Sequence, residues 1–349
     1  MLNILLGLLP VLLLLAGLVL MDSFKLLRPG SLAVALAWGA WVALASQPLH
    51  GWLLESAGMD LAVLTRYAAP VTEEVFKAVL IVILLARRQI GFLIDAAVMG
   101  FAVGTGFAVV ENFIFLQAMP DAPTALWVVR GLGTATLHGA TTAIAAVVAK
   151  GFQEQKQQAL PLAVASGLAV AIVIHSAYNH LLLPPLAATI VLLIGLPLVL
   201  IAIFDRGEKA AGEWVGAGLD LDLERLQGLI SQEFQSTNFG VYLQELKSRF
   251  EGPVVADMVC LLRLQLELSV QARALLMARQ AGLELTVDED LDAALDEMAF
   301  LRRSIGATGL LALKPLQVST RGAEFHRHVL TQARGSRSAM RQGRRPTGR

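Results

Sequence analysis

Seven apolar runs are the feature that most constrains the fold of this 349-residue chain. At ~1.5 Å per residue, helices of these lengths cross roughly 30 Å of hydrocarbon. The hydrophobic fraction of 56% and the mean hydropathy of +0.63 also exceed those of ordinary soluble domains. We therefore predict an all-α, polytopic membrane helix bundle. Its seven spans are expected at 3–20, 32–54, 69–86, 90–118, 125–149, 159–183 and 185–204.

Basic residues beside these runs indicate the membrane topology. In the loops they follow the first, third, fifth and seventh runs, and only Arg66 lies in an alternate loop. Cytoplasmic loops are enriched in Lys and Arg, so we expect the N-terminus outside and the C-terminus in the cytoplasm. The first run has no basic residue before it and no A-x-A-like site before Asp22, which favours a retained helix over a cleaved signal peptide. The residues that set this bias are Lys25, Arg28, Arg87, Arg88, Lys150, Lys156, Arg206 and Lys209.

The composition changes at Asp205 from apolar runs to mixed charged and leucine-rich sequence. We predict a membrane domain over 1–204, a cytoplasmic helical domain over 205–333 and a basic, disordered tail over 334–349. Amphipathic helices are expected at 219–235, 254–280 and 287–304, with a capping box at Thr286 and Glu289. This part contains no recognisable catalytic motif. We therefore interpret it as a regulatory module or one that binds a cytoplasmic protein partner, with a stabilising appendage as the alternative, and we expect no nucleic-acid partner.

Ionisable residues inside the apolar runs are the candidates for function. A charged side chain at the centre of a membrane helix costs roughly 2.5–3.5 kcal/mol on insertion scales, so several of them need a reason to be there. Histidine and glutamate are also the usual general acids and bases. The residues are Glu73, Glu74, Lys77, Glu111, Arg130, His138 and His175.

The third run begins with two glutamates and a lysine. Pro70 predicts the first turn of a helix here, with the acidic groups at the positive end of the helix dipole. Glu73 and Lys77 are four residues apart and are expected to pair, whereas Glu74 points about 100° away and stays available. In the next run, Gly100 and Gly104 predict the close approach of a neighbouring helix.

The polar residues are predicted to lie at similar depths in the membrane. Counted from the outer ends of the runs at ~1.5 Å per residue, Glu73 and Glu74 lie roughly 5–8 Å deep, Glu111 about 10 Å, His175 about 12 Å and His138 about 18 Å. We therefore expect one cluster in the outer half of the bilayer. A structural ion network of Glu111 with Lys77 or Arg130 is the alternative to a catalytic site.

These residues form motifs that resemble those of the PrsW family of bacterial intramembrane proteases, distant relatives of CAAX-processing and bacteriocin-processing membrane proteases. The motifs are Glu-Glu-x-x-Lys at 73–77, Gly-x-Gly-Phe-Ala-x-x-Glu-Asn ending at Asn112, His138, and His-Ser-x-Tyr-Asn at 175–179. The resemblance covers roughly 30–205. It implies a multi-pass protein of the bacterial plasma membrane that cleaves a membrane-protein substrate, such as an anti-sigma factor, near the outer side of the bilayer.

Water is the expected nucleophile, because no serine or cysteine lies in a recognisable nucleophile motif. Glu74, assisted by Glu73, is expected to activate it, while His175 and Asn179 stabilise the oxyanion. Glu111 and His138 complete the catalytic set, and Lys77, Asn112 and Arg130 support it. The sequence leaves open whether Glu74, Glu111, His138 and His175 bind Zn²⁺ instead, and we favour the metal-free mechanism. Outside enzymes, the rival functions are a proton-coupled transporter and a non-catalytic scaffold.

Overall fold

The computed structural model describes residues 1–21, 27, 29–155, 159–230, 238–281, 283 and 291–313, apart from some side chains within these ranges. Within them the regular secondary structure is entirely helical. The helices are α1 (Leu2–Met21), α2 (Pro29–Glu55), α3 (Leu61–Val63), α4 (Ala69–Ala86), α5 (Leu93–Ala118), α6 (Thr124–Val128), α7 (Ala135–Gln155), α8 (Leu160–Asn179), α9 (Pro185–Ile230), α10 (Asn238–Leu246), α11 (Gly252–Gln280) and α12 (Leu291–Leu313). Two π-helical turns, Leu64–Ala68 and Val129–Thr134, precede α4 and α7.

Six helical segments are long and apolar enough to cross a membrane. They are Leu2–Met21, Pro29–Glu55, Leu93–Ala118, Thr124–Gln153, Leu160–Asn179 and Pro185–Ile203. Together with the other helices they confirm the predicted polytopic all-α bundle. The remaining expected span, 69–86, is helix α4, which carries three charged residues and is not among these six.

Helix α4 has its polar face inside and its apolar face outside. Glu73, Glu74 and Lys77 are buried against the rest of the protein. The row Val71, Val75, Val79 and Ile83 is exposed on the other side. Such an arrangement suits a helix that contacts lipid, because hydrocarbon accepts valine readily and an unpaired charge at high cost.

Helix α5 forms the centre of the membrane bundle, and its residues from Ile94 to Ala108 are buried. It packs against α1, α2 and α7, and its contacts with α2 and α7 include glycines. A Cβ atom on Gly104 would overlap the carbonyl oxygen of His138 in α7, and one on Gly106 would overlap the carbonyl oxygen of Leu36 in α2. Gly100 meets the α7 backbone at Thr142 in the same way, which confirms the close helix approach predicted from Gly100 and Gly104.

Contacts divide the chain into two compact units, Met1–Glu208 and the part from Lys209 onwards. In the second unit, α10, α11 and α12 share a core that includes Leu243, Leu261 and Ile305. The predicted capping box at Thr286 and the basic tail lie outside the described residues. The function of this unit in binding a partner stays a prediction.

The glycine contact between α5 and α7 predicts the effect of one methyl group. Gly104→Ala would place a Cβ atom against the backbone of His138, so the two helices must separate. Overpacking of this kind typically costs about 1–3 kcal/mol. We expect a lower midpoint of thermal unfolding in detergent. Gly195→Ala is the control, since nothing lies within 4 Å of a Cβ atom at that position. Equal midpoints for the two variants would contradict this packing.

Candidate active site

The glutamates of α4 lie on a helix whose start differs from the prediction. Helical backbone begins earlier, at Asp60, whose carboxylate accepts the backbone N–H groups of Ala62 and Val63. It continues through the π-helical turn Leu64–Ala68 into α4. Pro70 therefore does not open the helix, and the dipole argument for Glu73 does not apply. The π turn accommodates Pro70, which has no N–H to join a regular ladder.

Glu74 accepts several hydrogen bonds in the site. Its Oε1 accepts hydrogen bonds from Lys77 Nζ at 2.6 Å, Thr141 Oγ1 at 2.9 Å and His175 Nδ1 at 2.9 Å. Both Glu74 and Lys77 are almost completely buried. The expected pair of Glu73 with Lys77 was wrong, because Lys77 pairs with Glu74 instead. Positions three and four residues apart share a helix face, and the donors from α7 and α8 select Glu74.

Two carboxylates orient the two histidines. His175 bonds Glu74 through Nδ1, and His138 bonds Glu111 Oε2 through Nε2 at 3.2 Å. An ionised carboxylate only accepts, so these contacts place the imidazole protons on Nδ1 of His175 and Nε2 of His138. Lys77 Nζ lies 3.3 Å from His138 Nδ1, which agrees with an acceptor at that nitrogen. These tautomers leave a lone pair on His175 Nε2 and one on His138 Nδ1, and Lys77 contacts the second.

Glu73 faces both of these nitrogen atoms. Its Oε2 lies 3.9 Å from His175 Nε2 and 4.0 Å from His138 Nδ1. This oxygen is buried and has no hydrogen-bond partner among the described residues. A buried carboxylate oxygen without a donor is costly, so the arrangement calls for a ligand.

The other end of the cluster is partly exposed. Arg130 donates to Glu111 Oε2 and to Asn112 Oδ1, both at 3.0 Å, and its guanidinium lies over the Phe115 ring. Asn112 in turn donates to the carbonyl of Gly7 in α1 at 2.7 Å. The side chains of Arg130 and Glu111 are 12% and 16% exposed. This end thus combines charge with access to solvent.

The structure brings together eight of the nine residues proposed from sequence, and Asn179 is the exception. The Asn179 amide donates to the carbonyl of Thr65 at 2.9 Å, which ties α8 to the π-helical turn before α4. Sequence reasoning also missed two participants. The Thr141 hydroxyl binds Glu74, and the Phe107 ring lies 4.6 Å from the ring of His138 and 4.8 Å from Lys77 Nζ. The three-residue spacing of Thr141 from His138 was the available signal for the first.

The comparison with protein families decides the identity of this bundle. The family model described as PrsW family intramembrane metalloprotease matches residues 28–204, just over half of the chain. The chain belongs to the PrsW family. It is therefore an intramembrane protease, and all residues of the cluster from Glu73 to His175 lie within the match. No curated protein and no solved structure shows significant similarity to the chain.

The family description raises the question of a metal, and the side chains present fit one. Donor atoms of Glu73, His138 and His175 lie within 4.8 Å of one another, and all three residues are buried. Two imidazoles and a carboxylate are common zinc ligands, and a tetrahedral site places such atoms ~3.4 Å apart. Glu74 accepts a hydrogen bond from Nδ1 of His175, and Glu111 accepts one from Nε2 of His138. Carboxylates commonly orient the histidine ligands of a metal in this way. This donor set differs from the sequence-based one by containing Glu73 in place of Glu74 and Glu111.

Proposed function

We propose that the chain hydrolyses a peptide bond of a membrane-protein substrate at Glu73, His138 and His175. One observation carries the proposal: Glu73 Oε2 is buried with no donor in the part of the chain that the structure describes. It faces two imidazole nitrogens whose opposite nitrogens are held by carboxylates. A structural ion network is expected to pair a buried carboxylate oxygen. The arrangement instead suits a group that handles a proton or a ligand during each turnover.

For the metal-free mechanism the geometry favours exchanging the roles of the two glutamates. Glu74 Oε1 is engaged by three donors, so this oxygen is poorly suited to remove a proton from water. Glu73 carries the free oxygen and acts as the general base. Lys77 balances the negative charge of Glu74 and keeps it ionised.

The histidines complete the chemistry. In this mechanism Glu73 takes the proton of the attacking water and passes it to His175 Nε2, and the resulting imidazolium delivers that proton to the leaving amine nitrogen. Glu74 stabilises the imidazolium form of His175 through Nδ1, and Glu111 orients His138 beside the substrate carbonyl. The proposed oxyanion role of Asn179 receives no support from its contact with Thr65.

A zinc ion is the alternative use of the same donors. Glu73, His138 and His175 would hold it, and a bound ion would polarise the substrate carbonyl and acidify a water molecule. The Glu73 carboxylate is essential in both versions, as a base or as a ligand. Glu74 and Glu111 fix the orientation of the histidines in both.

The substrate class and the membrane orientation belong to the same proposal. We infer that the protein lies in a bacterial plasma membrane with its N-terminus outside and the part after Asp205 in the cytoplasm. The distribution of basic residues supports this orientation. A substrate with a single span, such as an anti-sigma factor, would then be cut near the outer surface. The second unit would bind a cytoplasmic partner, and its exposed Phe300 and Leu311 are suitable contacts.

Glu73→Gln is the sharpest test of the mechanism. The amide keeps the shape of the side chain, and Oε2 has no hydrogen bond to any described residue, so we expect normal insertion and thermal stability. Cleavage of a single-span reporter should fall by roughly 10²-fold or more, the scale of a lost general base. Glu74→Gln is the comparison, because it disturbs a buried ion pair, a change worth about 3–5 kcal/mol when one partner is lost. A fully active Glu73→Gln variant would exclude this site.

Metal content separates the two versions of the mechanism. Zinc held by three buried donors should copurify at about one ion per chain, measured by mass spectrometry of the purified full-length protein. His138→Ala and His175→Ala should each lose it. Under the metal-free mechanism the wild type contains no stoichiometric metal, and chelator treatment leaves the cleavage rate unchanged.

Reporter fusions test the orientation. An enzyme that is active only outside the cytoplasm should be silent when fused after Phe204 and active when fused after Gly58, which lies between α2 and α3. The opposite pattern would reverse the proposed topology and place the cluster near the cytoplasmic side.

A further inference from the structure

Proline at position 70 deprives two backbone carbonyls of the preceding turn of their usual helical donor. In an α-helix the carbonyl of Arg66 accepts the N–H of residue 70, but Pro70 has no N–H. For Thr65, the N–H four residues on belongs to Ala69, which donates to Leu64 instead, and the residue five on is again Pro70. The π-helical turn before α4 thus presents two carbonyl acceptors to its neighbours.

Two side chains of α8 donate to these two carbonyls. The Ser176 hydroxyl binds the carbonyl of Arg66 at 2.5 Å, and the Asn179 amide binds the carbonyl of Thr65 at 2.9 Å. Polar side chains of neighbouring helices commonly satisfy the backbone groups that a proline frees within a membrane. Ser176 and Asn179 therefore take the place of the N–H group that Pro70 lacks.

The same two helices meet again at the catalytic cluster. His175, the residue before Ser176, donates to Glu74 Oε1 at 2.9 Å, and its Nε2 faces Glu73 Oε2 at 3.9 Å. From Arg66 to Glu73 the chain advances seven residues, ~10 Å along the helix. Polar contacts at two levels restrict both the height and the tilt of α8 against α4, because a contact at one level is compatible with pivoting about it.

We propose that Ser176 and Asn179 are positioning residues, whose hydrogen bonds to the turn before Pro70 hold Glu73 at the height of His175. The proposal rests on the proposed proteolytic function of Glu73 and His175. Proton transfer requires the two groups to come within hydrogen-bond reach during the reaction. A displacement of about 1 Å at such a site costs on the order of 10²-fold in rate, so small shifts of α8 are sufficient to slow the reaction.

Loss of both donors should slow the reaction without weakening substrate binding. In the full-length protein, Ser176→Ala combined with Asn179→Ala should lower kcat per correctly inserted molecule by roughly 10-fold or more, with KM for a single-span peptide within about 2-fold of the wild type. Ser176→Thr keeps the hydroxyl and should retain kcat. Ser166→Ala is the matched control, because the Ser166 hydroxyl bonds the carbonyl of Leu162 within α8. A higher KM with unchanged kcat would overturn the proposal.

Pro70→Ala separates positioning from a direct catalytic role of Asn179. Alanine restores an N–H at position 70, so one of the two carbonyls regains a backbone donor. Measured against Pro70→Ala alone, the loss of kcat on removing both side-chain donors should shrink to about 3-fold or less. An oxyanion donor at Asn179 would instead cost the same in both backgrounds, and Ser176→Ala alone would cost nothing. Equal losses in the two backgrounds would overturn the proposal.

Hydrogen exchange tests the contact without cleavage. In the full-length protein in detergent, the backbone amides of 61–74 should exchange about 10-fold faster when both donors are replaced by alanine, the scale of two lost hydrogen bonds. Ser166→Ala should leave their exchange unchanged. Unchanged exchange in the double-alanine variant would overturn the proposal. If Glu73→Gln cleaves normally, the proposed function fails instead, and hydrogen exchange still decides whether Ser176 and Asn179 hold the turn.

Discussion

A buried carboxylate in a membrane must be neutralised by another part of the protein, and the pair of Glu74 with Lys77 meets this requirement. Neither side chain reaches water, and loss of either partner would leave a charge in a medium that solvates it poorly. The pair fixes the rotation of α4, with its charges inward and its valines towards lipid. Because Thr141 and His175 bind the same oxygen, it also ties α4 to α7 and α8.

The chemistry depends on helix separations as closely as on side chains. His138 and Glu111 meet across the contact of α7 with α5, where Gly104 lies against the backbone of His138 itself. A hydrogen bond of 3.2 Å weakens steeply when its atoms move apart, so the glycine controls the orientation of the imidazole. The packing of the helices therefore sets the geometry of the site.

The sequence predicted six of the candidate spans and the convergence of Glu73, Glu111, His138 and His175, because run length and helical rise determine depth in a bilayer. It did not predict which glutamate pairs with Lys77. Spacings of three and of four residues both place a glutamate on the same helix face as Lys77. The hydrogen-bond donors that favour Glu74 lie on other helices, and no local sequence pattern reveals them. For Asn179 the helical spacing from His175 was correct, but its amide meets the Thr65 carbonyl, a backbone acceptor that carries no sequence signal.

A backbone acceptor outside the family match, which begins at residue 28, also supports the site. Asn112 orients Arg130, yet its amide is itself held by the carbonyl of Gly7 in α1. Any residue supplies a carbonyl, so this contact needs no sequence motif in α1. It requires only that α1 lies close to Asn112 and has a small side chain there. Trp127 packs beside Gly7, and Gly131 lets the Leu6 carbonyl approach. Helix α1 therefore supports the charged end of the site through shape alone, and a pattern of chemically active residues cannot reveal it.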